Sequence, residues 1–350
     1  MKKLIIPLII VLATGCVSDN SMSKGEQAKE YLELWISQWT KDNGKTPVST
    51  ESGLYILNEV KGDASADLWN ADLHYTSATI TIRALNGTIT STDDAKVAQQ
   101  LGTYNPSSNY YGPKVFVTGE GISYAGVDAA LEGMRMGDER TVVIPAWMLT
   151  TSRYSTQDQY LEACTTTSSV VYTIKLAEQF EDPVKWEKAK IVAYVNANYP
   201  GAVPTVMPGS EEDAVADSTF WFLSDVSGFN ENDVRDDSSS GFTIDYTGRD
   251  LSDRIFDTSI KKVAIDNDIY SDSRTYSPLS VLFSSDWSST TINNSTSYVD
   301  GFKAGVSLMR WAGQQATIIF SSAHGYSSTG SGAIPSYCPL IFDIVLMKEE

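Results

Sequence analysis

Histidine, cysteine and clustered carboxylates carry most protein chemistry, and this chain of 350 residues is short of the first two. Its two histidines, His74 and His324, rule out a His-rich metal centre. Neither stands near a motif serine or cysteine, which argues against a hydrolytic triad. The three cysteines, Cys16, Cys164 and Cys338, are too few for a disulfide framework. Cys164 and Cys338 fall at non-equivalent places in separate halves, so no bridge between them is expected. Charge excludes a further class: 44 Asp and Glu against 26 Lys and Arg give a net −18, whereas a nucleic-acid binder needs clustered cations to neutralise phosphates. With 42% hydrophobic residues and this length, the chain can bury two cores. It is an acidic chain, poor in the usual catalytic side chains.

One cysteine does have a reactive context. Lys2 and Lys3 precede an apolar run from Leu4 to Ala13, about half the ~20 residues that span a bilayer, so the run reads as the core of an export signal. It ends in Leu12-Ala13-Thr14-Gly15-Cys16, which resembles a bacterial lipobox, with Ala13 where leucine is more usual. That resemblance implies removal of residues 1–15 and acylation of the Cys16 thiol. Several acyl chains hold a protein on a membrane without a spanning helix. The expected location is outside the cytoplasm, lipid-anchored to the bacterial cell envelope: the outer membrane, on its periplasmic or surface side. An acidic chain gains nothing from anionic headgroups, so the anchor alone would hold it.

The remaining residues read as two copies of one plan: helix, linker, strand-rich domain. Ala28, Tyr31, Leu32, Trp35, Ile36 and Trp39 draw one apolar helix face, stopped at Asn43-Gly44. Asp182-Pro183 opens a second helix that runs through Trp186, Ile191, Val192 and Val195 to Pro200-Gly201. Paired segments follow in the same order. Leu54-Tyr55-Ile56-Leu57 matches Phe220-Trp221-Phe222-Leu223, and Tyr75-Thr76 is set against Tyr246-Thr247. Gly126-Val127, with Met134 eight residues on, matches Gly301-Phe302 with Met309. Thr141-Val142-Val143-Ile144 matches Thr317-Ile318-Ile319-Phe320, and Val170–Ile174 matches Leu340–Ile344. The expected organisation is a signal over 1–15, tether and helix over 16–45, one domain over 46–181, helix and linker over 182–212, and a second domain over 213–350. Each domain should be α+β, a twisted antiparallel sheet curled around one short helix. The stretch Pro204–Asp217 is expected to be solvated linker, and polar Phe283–Ser297 an exposed excursion.

The second copy resembles FKBP-type peptidyl-prolyl cis–trans isomerases. The likeness is carried by Asp245-Tyr246-Thr247-Gly248, Ile255-Phe256-Asp257-Thr258-Ser259, Val299–Met309, His324-Gly325-Tyr326, Ile334-Pro335 and Leu340–Leu346, in that order. It implies an apolar bowl for the proline ring of an X–Pro peptide, made by Tyr246, Phe256, Asp257, Val299, Phe302, Tyr326 and Phe342. Ile334 would lie in a loop overhanging the bowl. It further implies proline-containing unfolded or exported polypeptides as partners, the family's macrolide ligands, and no cofactor or metal. Phe302 stands where the family commonly has tryptophan, Lys262 where an arginine often partners the aspartate, and Leu279 where another aromatic is usual. The first copy resembles the family more distantly: Tyr75 is kept, Ile89-Thr90 take the places of Phe256-Asp257, and Val127 replaces Phe302. It is expected to keep the fold without activity.

Such chemistry suits the composition. Amide rotation faces a barrier of ~18–20 kcal/mol, yet the X–Pro isomers differ by only about 0.5–1 kcal/mol, so rate is the difficulty. No bond breaks, so no nucleophile or metal is required. The twisted amide is less polar than the planar one, and a desolvated aromatic pocket favours it. The expectation is a peptidyl-prolyl isomerase assisting folding of exported proteins. The alternative is a non-catalytic FKBP-like binding or scaffold lipoprotein.

Overall fold

The computed structural model describes residues 22–211, 214–230, 234–235 and 241–348. The export signal and Cys16 lie outside the described residues, as do Glu212 and Asp213 of the linker.

The first half contains α1 (Lys24–Asn43), β1 (Val48–Ser49), β2 (Tyr55–Val60), β3 (Tyr75–Ala84), β4 (Ile89–Thr92), α2 (Ala95–Leu101), β5 (Lys114–Val117), α3 (Ala125–Leu131), β6 (Glu139–Ile144), α4 (Gln157–Glu162) and β7 (Val170–Phe180). The second contains α5 (Pro183–Asn198), β8 (Phe220–Leu223), β9 (Phe242–Asp250), β10 (Ile255–Thr258), α6 (Lys261–Asp266), β11 (Leu279–Leu282), β12 (Thr291–Ile292), α7 (Asp300–Ser307), β13 (Gln315–Phe320) and β14 (Leu340–Lys348). The architecture is mixed α/β with two antiparallel sheets. One runs β1-β2-β6-β7-β3-β4, with β5 also on β3. The other runs β12-β11-β9-β14-β13-β8, with β10 also on β9. The central order β2-β6-β7-β3 thus recurs as β8-β13-β14-β9.

Glycine sets how closely a helix lies on each sheet. A Cβ on Gly126 of α3 would stand 2.2 Å from Ile144, and one on Gly301 of α7 would stand 2.3 Å from the Phe320 ring. Ile144 and Phe320 occupy the same step of their sheets, opposite Val170 and Leu340. Met134 and Met309 close the two helix segments and are both fully buried. Each domain carries more than the single helix expected. α2 and α4 in the first, and α6 in the second, are short turns of helix in the connections, too brief to show as a 3.6-residue stripe.

Both predicted long helices form. Ser23 and Glu26 make a reciprocal capping box on α1, whose buried Ala28 and Leu32 face the first core. Asp182 caps α5 from its side chain, ahead of Pro183. The inner face of α5, Ile191 and Val195, packs on Trp221, Ile319 and Ile341, the side of the second sheet turned away from its main core. Glu187 accepts hydrogen bonds from the Ser322 amide and hydroxyl, both at 2.6 Å. None of the described helices is long and apolar enough to cross a membrane.

Of two loop expectations, one needs correction. In the linker, the Thr205 amide donates to the Phe220 carbonyl (3.0 Å), its hydroxyl accepts from the Phe222 amide (3.1 Å), and Met207 packs on the second core. Thr205 and Met207 are therefore tied to the second domain, while none of the described residues of 204–217 is buried. Phe283–Ser297, by contrast, is not an open excursion: Phe283, Thr290 and Ile292 are buried and β12 pairs with β11, so its few large side chains anchor a polar ribbon to the sheet edge.

Candidate functional site

β9, β10 and β14 meet α7 and two loops around one cavity of about 480 Å³. Tyr246, Phe256, Asp257 and Val299 line it, as do Phe302, Tyr326, Ile334 and Phe342. These eight come from six separate stretches of chain. The ladder of β10 on β9 slips between Ile255 and Asp257; such a bulge re-aims side chains, and both Phe256 and Asp257 reach the cavity. Gly248, opposite Asp257, makes room: a Cβ there would stand 2.8 Å from both the Phe256 and the Phe342 ring.

The floor is an aromatic cluster. Phe302 and Phe342 have centroids 4.6 Å apart, Tyr246 lies 5.5 Å from Phe302, and Phe256 meets Phe342 edge-on at 5.8 Å. Phe320 stacks behind Phe342 at 5.8 Å. Only 2% of Phe302 and 6% of Phe342 are exposed, so the rings are held from behind.

The polar groups nearest the aromatic floor are mostly committed. The Tyr246 hydroxyl donates to Asp257 Oδ2 (2.8 Å) and accepts from Arg274 Nη2 (2.9 Å). Arg274 Nη1 also donates to Asp257 Oδ1, which accepts from the Thr258 amide at 2.9 Å as well. Burial, with the Asp257 charge beside it, holds the Tyr246 phenol well above its usual range. The Tyr326 phenol is raised by the same two causes in the same order, so it keeps its proton. Its hydroxyl makes no hydrogen bond among the described residues, leaving that O–H for a ligand.

Several contributors escaped the sequence reading. Lys262 pairs with Asp266 one helical turn on, and the cation on Asp257 is Arg274, seventeen positions downstream. A signal existed: Arg274 is the only Lys or Arg between Lys262 and Lys303. Leu279 sits on β11 opposite Ile244 and is not among the residues lining the cavity; the additional aromatic is Tyr298, 5.7 Å from Phe302. Ser107 of the first domain also lines the cavity. His324 lies beside Thr219, its Nε2 3.4 Å from the hydroxyl, and burial lowers its pKa against the pull of Asp217 and Asp300. It does not line the cavity.

Sheet register also corrects the matching of the two copies. Ile174 and Ile344 are equivalent, and opposite them stand Ile80 and Tyr246, so Tyr75 is not the counterpart of Tyr246. By the same register Ile82 takes the place of Gly248, and Thr90-Ser91, not Ile89-Thr90, the place of Phe256-Asp257. The Thr81–Thr92 hydroxyl pair (2.7 Å) answers the Thr247–Thr258 pair (3.1 Å), which ties the two alignments together.

No family model matches the chain, and no curated protein matches it. Among solved structures it is similar to the three FKBP domains of wheat FKBP73: 13% identity, 85% of this chain and 95% of that one, TM-score 0.27. It is similar to a peptidyl-prolyl cis–trans isomerase from Pseudomonas syringae: 17% identity, 47% of this chain and 91% of that one, TM-score 0.29. It is similar also to FkpA from Escherichia coli: 13% identity, 45% of this chain and 63% of that one, TM-score 0.29. At these scores nothing is inferred from the likeness, and function has to be read from the cavity.

Proposed function

We propose that the second domain is an FKBP-like fold that accelerates cis–trans isomerisation of X–Pro bonds in polypeptides. The observation that carries this reading is the convergence of eight side chains, scattered over about a hundred residues, on one aromatic cavity. The proline ring would rest on Phe302 and Phe342, walled by Phe256, Tyr246 and Val299. Removing water there disfavours the planar, polar amide relative to the twisted one, which lowers the barrier without covalent chemistry. The Tyr326 O–H would donate to a peptide carbonyl and hold it while the C–N bond turns.

Asp257 has a structural part in this scheme. Oδ2 is committed to Tyr246, and Oδ1 to Arg274 and the Thr258 amide. It therefore orients Tyr246 and Arg274 and moves no proton. The first domain, with Ile82 where Gly248 stands in the second and with Thr90-Ser91 in place of ring and carboxylate, is read as non-catalytic. The lipobox-like segment supports an exported, lipid-anchored protein whose clients are unfolded polypeptides of the cell envelope.

The test is the refolding of a protein limited by proline isomerisation, a process of tens of seconds unaided, with the chain from residue 16 onward added in increasing amounts. Acceleration proportional to concentration is expected. Unchanged refolding at every concentration overturns the catalytic reading.

A further inference from the structure

The second domain does not build its cavity alone. Ser107, in the connection between α2 and β5, lines it together with Tyr246, Phe302 and Ile334. The Ser108 carbonyl oxygen stands 3.9 Å from where a Cβ on Gly332 would lie. Tyr110 presents its ring to the Arg254 guanidinium, 4.9 Å from the centroid. Arg254 donates in turn to the Ala333 carbonyl at 2.8 Å and to Asp250 at 2.9 Å. Ala333 belongs to the loop that brings Ile334 over the bowl.

A second contact reaches the same connection between β13 and β14 further along. Tyr75 meets Tyr337 edge-on at 5.5 Å and stacks on Phe180 at 5.7 Å, and Phe180 stacks on Trp186 of α5 at 4.4 Å. The Tyr337 amide donates to the carbonyl of Ser327, the residue after Tyr326, at 2.9 Å. The first domain therefore bears at two places on the β13–β14 connection, which carries both Tyr326 and Ile334. Beyond the aromatic floor, Ser107, Ser297 and Ser331 also line the cavity, and the Ser107 hydroxyl, which donates to Asn105 Oδ1 at 2.7 Å, is left to accept from a ligand. An apolar centre with a hydrogen-bonding rim suits an extended polypeptide better than a lone proline ring.

We propose that the 103–111 loop of the first domain is the outer wall of the substrate site. Ser107 is its specificity residue, contacting the polypeptide beyond the proline, and Tyr110 is a positioning residue acting through Arg254 and Ala333. The proposal rests on the prolyl-peptide reading of the cavity and deepens it: the preferred substrate is an extended, unfolded chain.

The experiment uses the whole chain from residue 16. Ser107 is exposed, so Ser107→Trp narrows the wall without threatening the fold. Tyr110→Ala removes the ring under Arg254, with Tyr110→Phe as the conservative variant. Isomerisation is followed on a blocked proline tetrapeptide and on an unfolded protein, and binding of a fluorescent proline-containing peptide by anisotropy. Ser107→Trp is expected to raise KM for the unfolded protein by about tenfold, with kcat little moved and a clearly smaller loss on the tetrapeptide. Tyr110→Ala should shift the same ratio in the same direction, and Tyr110→Phe should restore it. Equal losses on both substrates, or none on either, overturn this inference and leave the isomerase reading standing. A wild-type chain that binds without accelerating removes the catalytic reading alone, and the tenfold weakening is then expected in Kd. A wild-type chain that neither binds nor accelerates overturns both.

Discussion

Gly248→Ala adds one methyl to the second domain, and the structure says where the strain goes. Gly248 lies in β9 with ordinary strand backbone, so alanine costs nothing in φ and ψ. Its Cβ, however, would stand 2.8 Å from Phe256 Cε2 and from Phe342 Cε1. Ordinary carbon contacts begin near 3.5 Å, so a ring must retreat by roughly half an ångström or more. Phe342 is backed by Phe320 and wedged against Phe302, whereas Phe256 is only partly buried; Phe256 gives way. Overpacking of this kind costs about 1–3 kcal/mol. Displacing a wall of the bowl by a fraction of an ångström costs roughly tenfold in kcat/KM. Thermal unfolding and proline-limited refolding read the two effects separately. A variant with wild-type melting and wild-type catalysis refutes the argument that convergence of these rings over a bare Cα shapes the site.

Three further outcomes follow from the same geometry. Tyr326→Phe removes a hydroxyl with no protein partner among the described residues, so kcat/KM in the refolding assay should fall by about threefold to tenfold with no change in melting. Arg274→Ala should loosen Tyr246 and Asp257 and lower activity several-fold, and Arg274→Lys should not restore it, because one ammonium cannot reproduce the two-pronged contact; full rescue by lysine contradicts the reading. Burial raises the Glu187 carboxyl above its usual range, against the Ser322 hydrogen bonds that lower it. Its contribution to stability is therefore full below the unfolded value near 4.5 and is lost as pH rises through the folded value. Glu187→Gln should gain on the wild type over that window in urea melts run across pH, and two parallel pH profiles sink the assignment.

What the sequence made legible was whatever repeats at short range. α1 and α5 show as spaced apolar residues with a cap and a stop, and β13 and β14 as β-branched and apolar runs. Two things were hidden by long-range pairing. The identity of the cation on Asp257 depends on how 261–278 loops back, and Lys262 at helical spacing from Asp266 finds a nearer partner. The Tyr-Thr pair at 75–76 imitates 246–247, but β3 is aligned by its pairing to β7, with a slip between Ser77 and Ala78 that no local pattern announces. Phe283–Ser297 was misjudged by composition, since two buried apolar side chains outweigh a surplus of serine and threonine.

The two copies separate the residues that make the fold from those that make the cavity. Gly126 and Gly301, Met134 and Met309, and the threonine pairs hold equivalent places, and each serves helix–sheet packing or strand pairing. Gly248, Phe256 and Asp257 serve the cavity, and at their places the first domain has Ile82, Thr90 and Ser91. A domain can thus lose the bowl without losing the sheet. Ile82→Gly alone would not recreate it, because Thr90 supplies no ring to converge with Tyr172 and Ser91 no carboxylate to hold an arginine. What the first domain does keep on the face toward its neighbour is Tyr75, Ser107 and Tyr110, the side chains that meet the mouth of the surviving cavity. The divergence of the two copies is therefore directional: one holds the aromatic cavity, and the other contributes Ser107 to its lining.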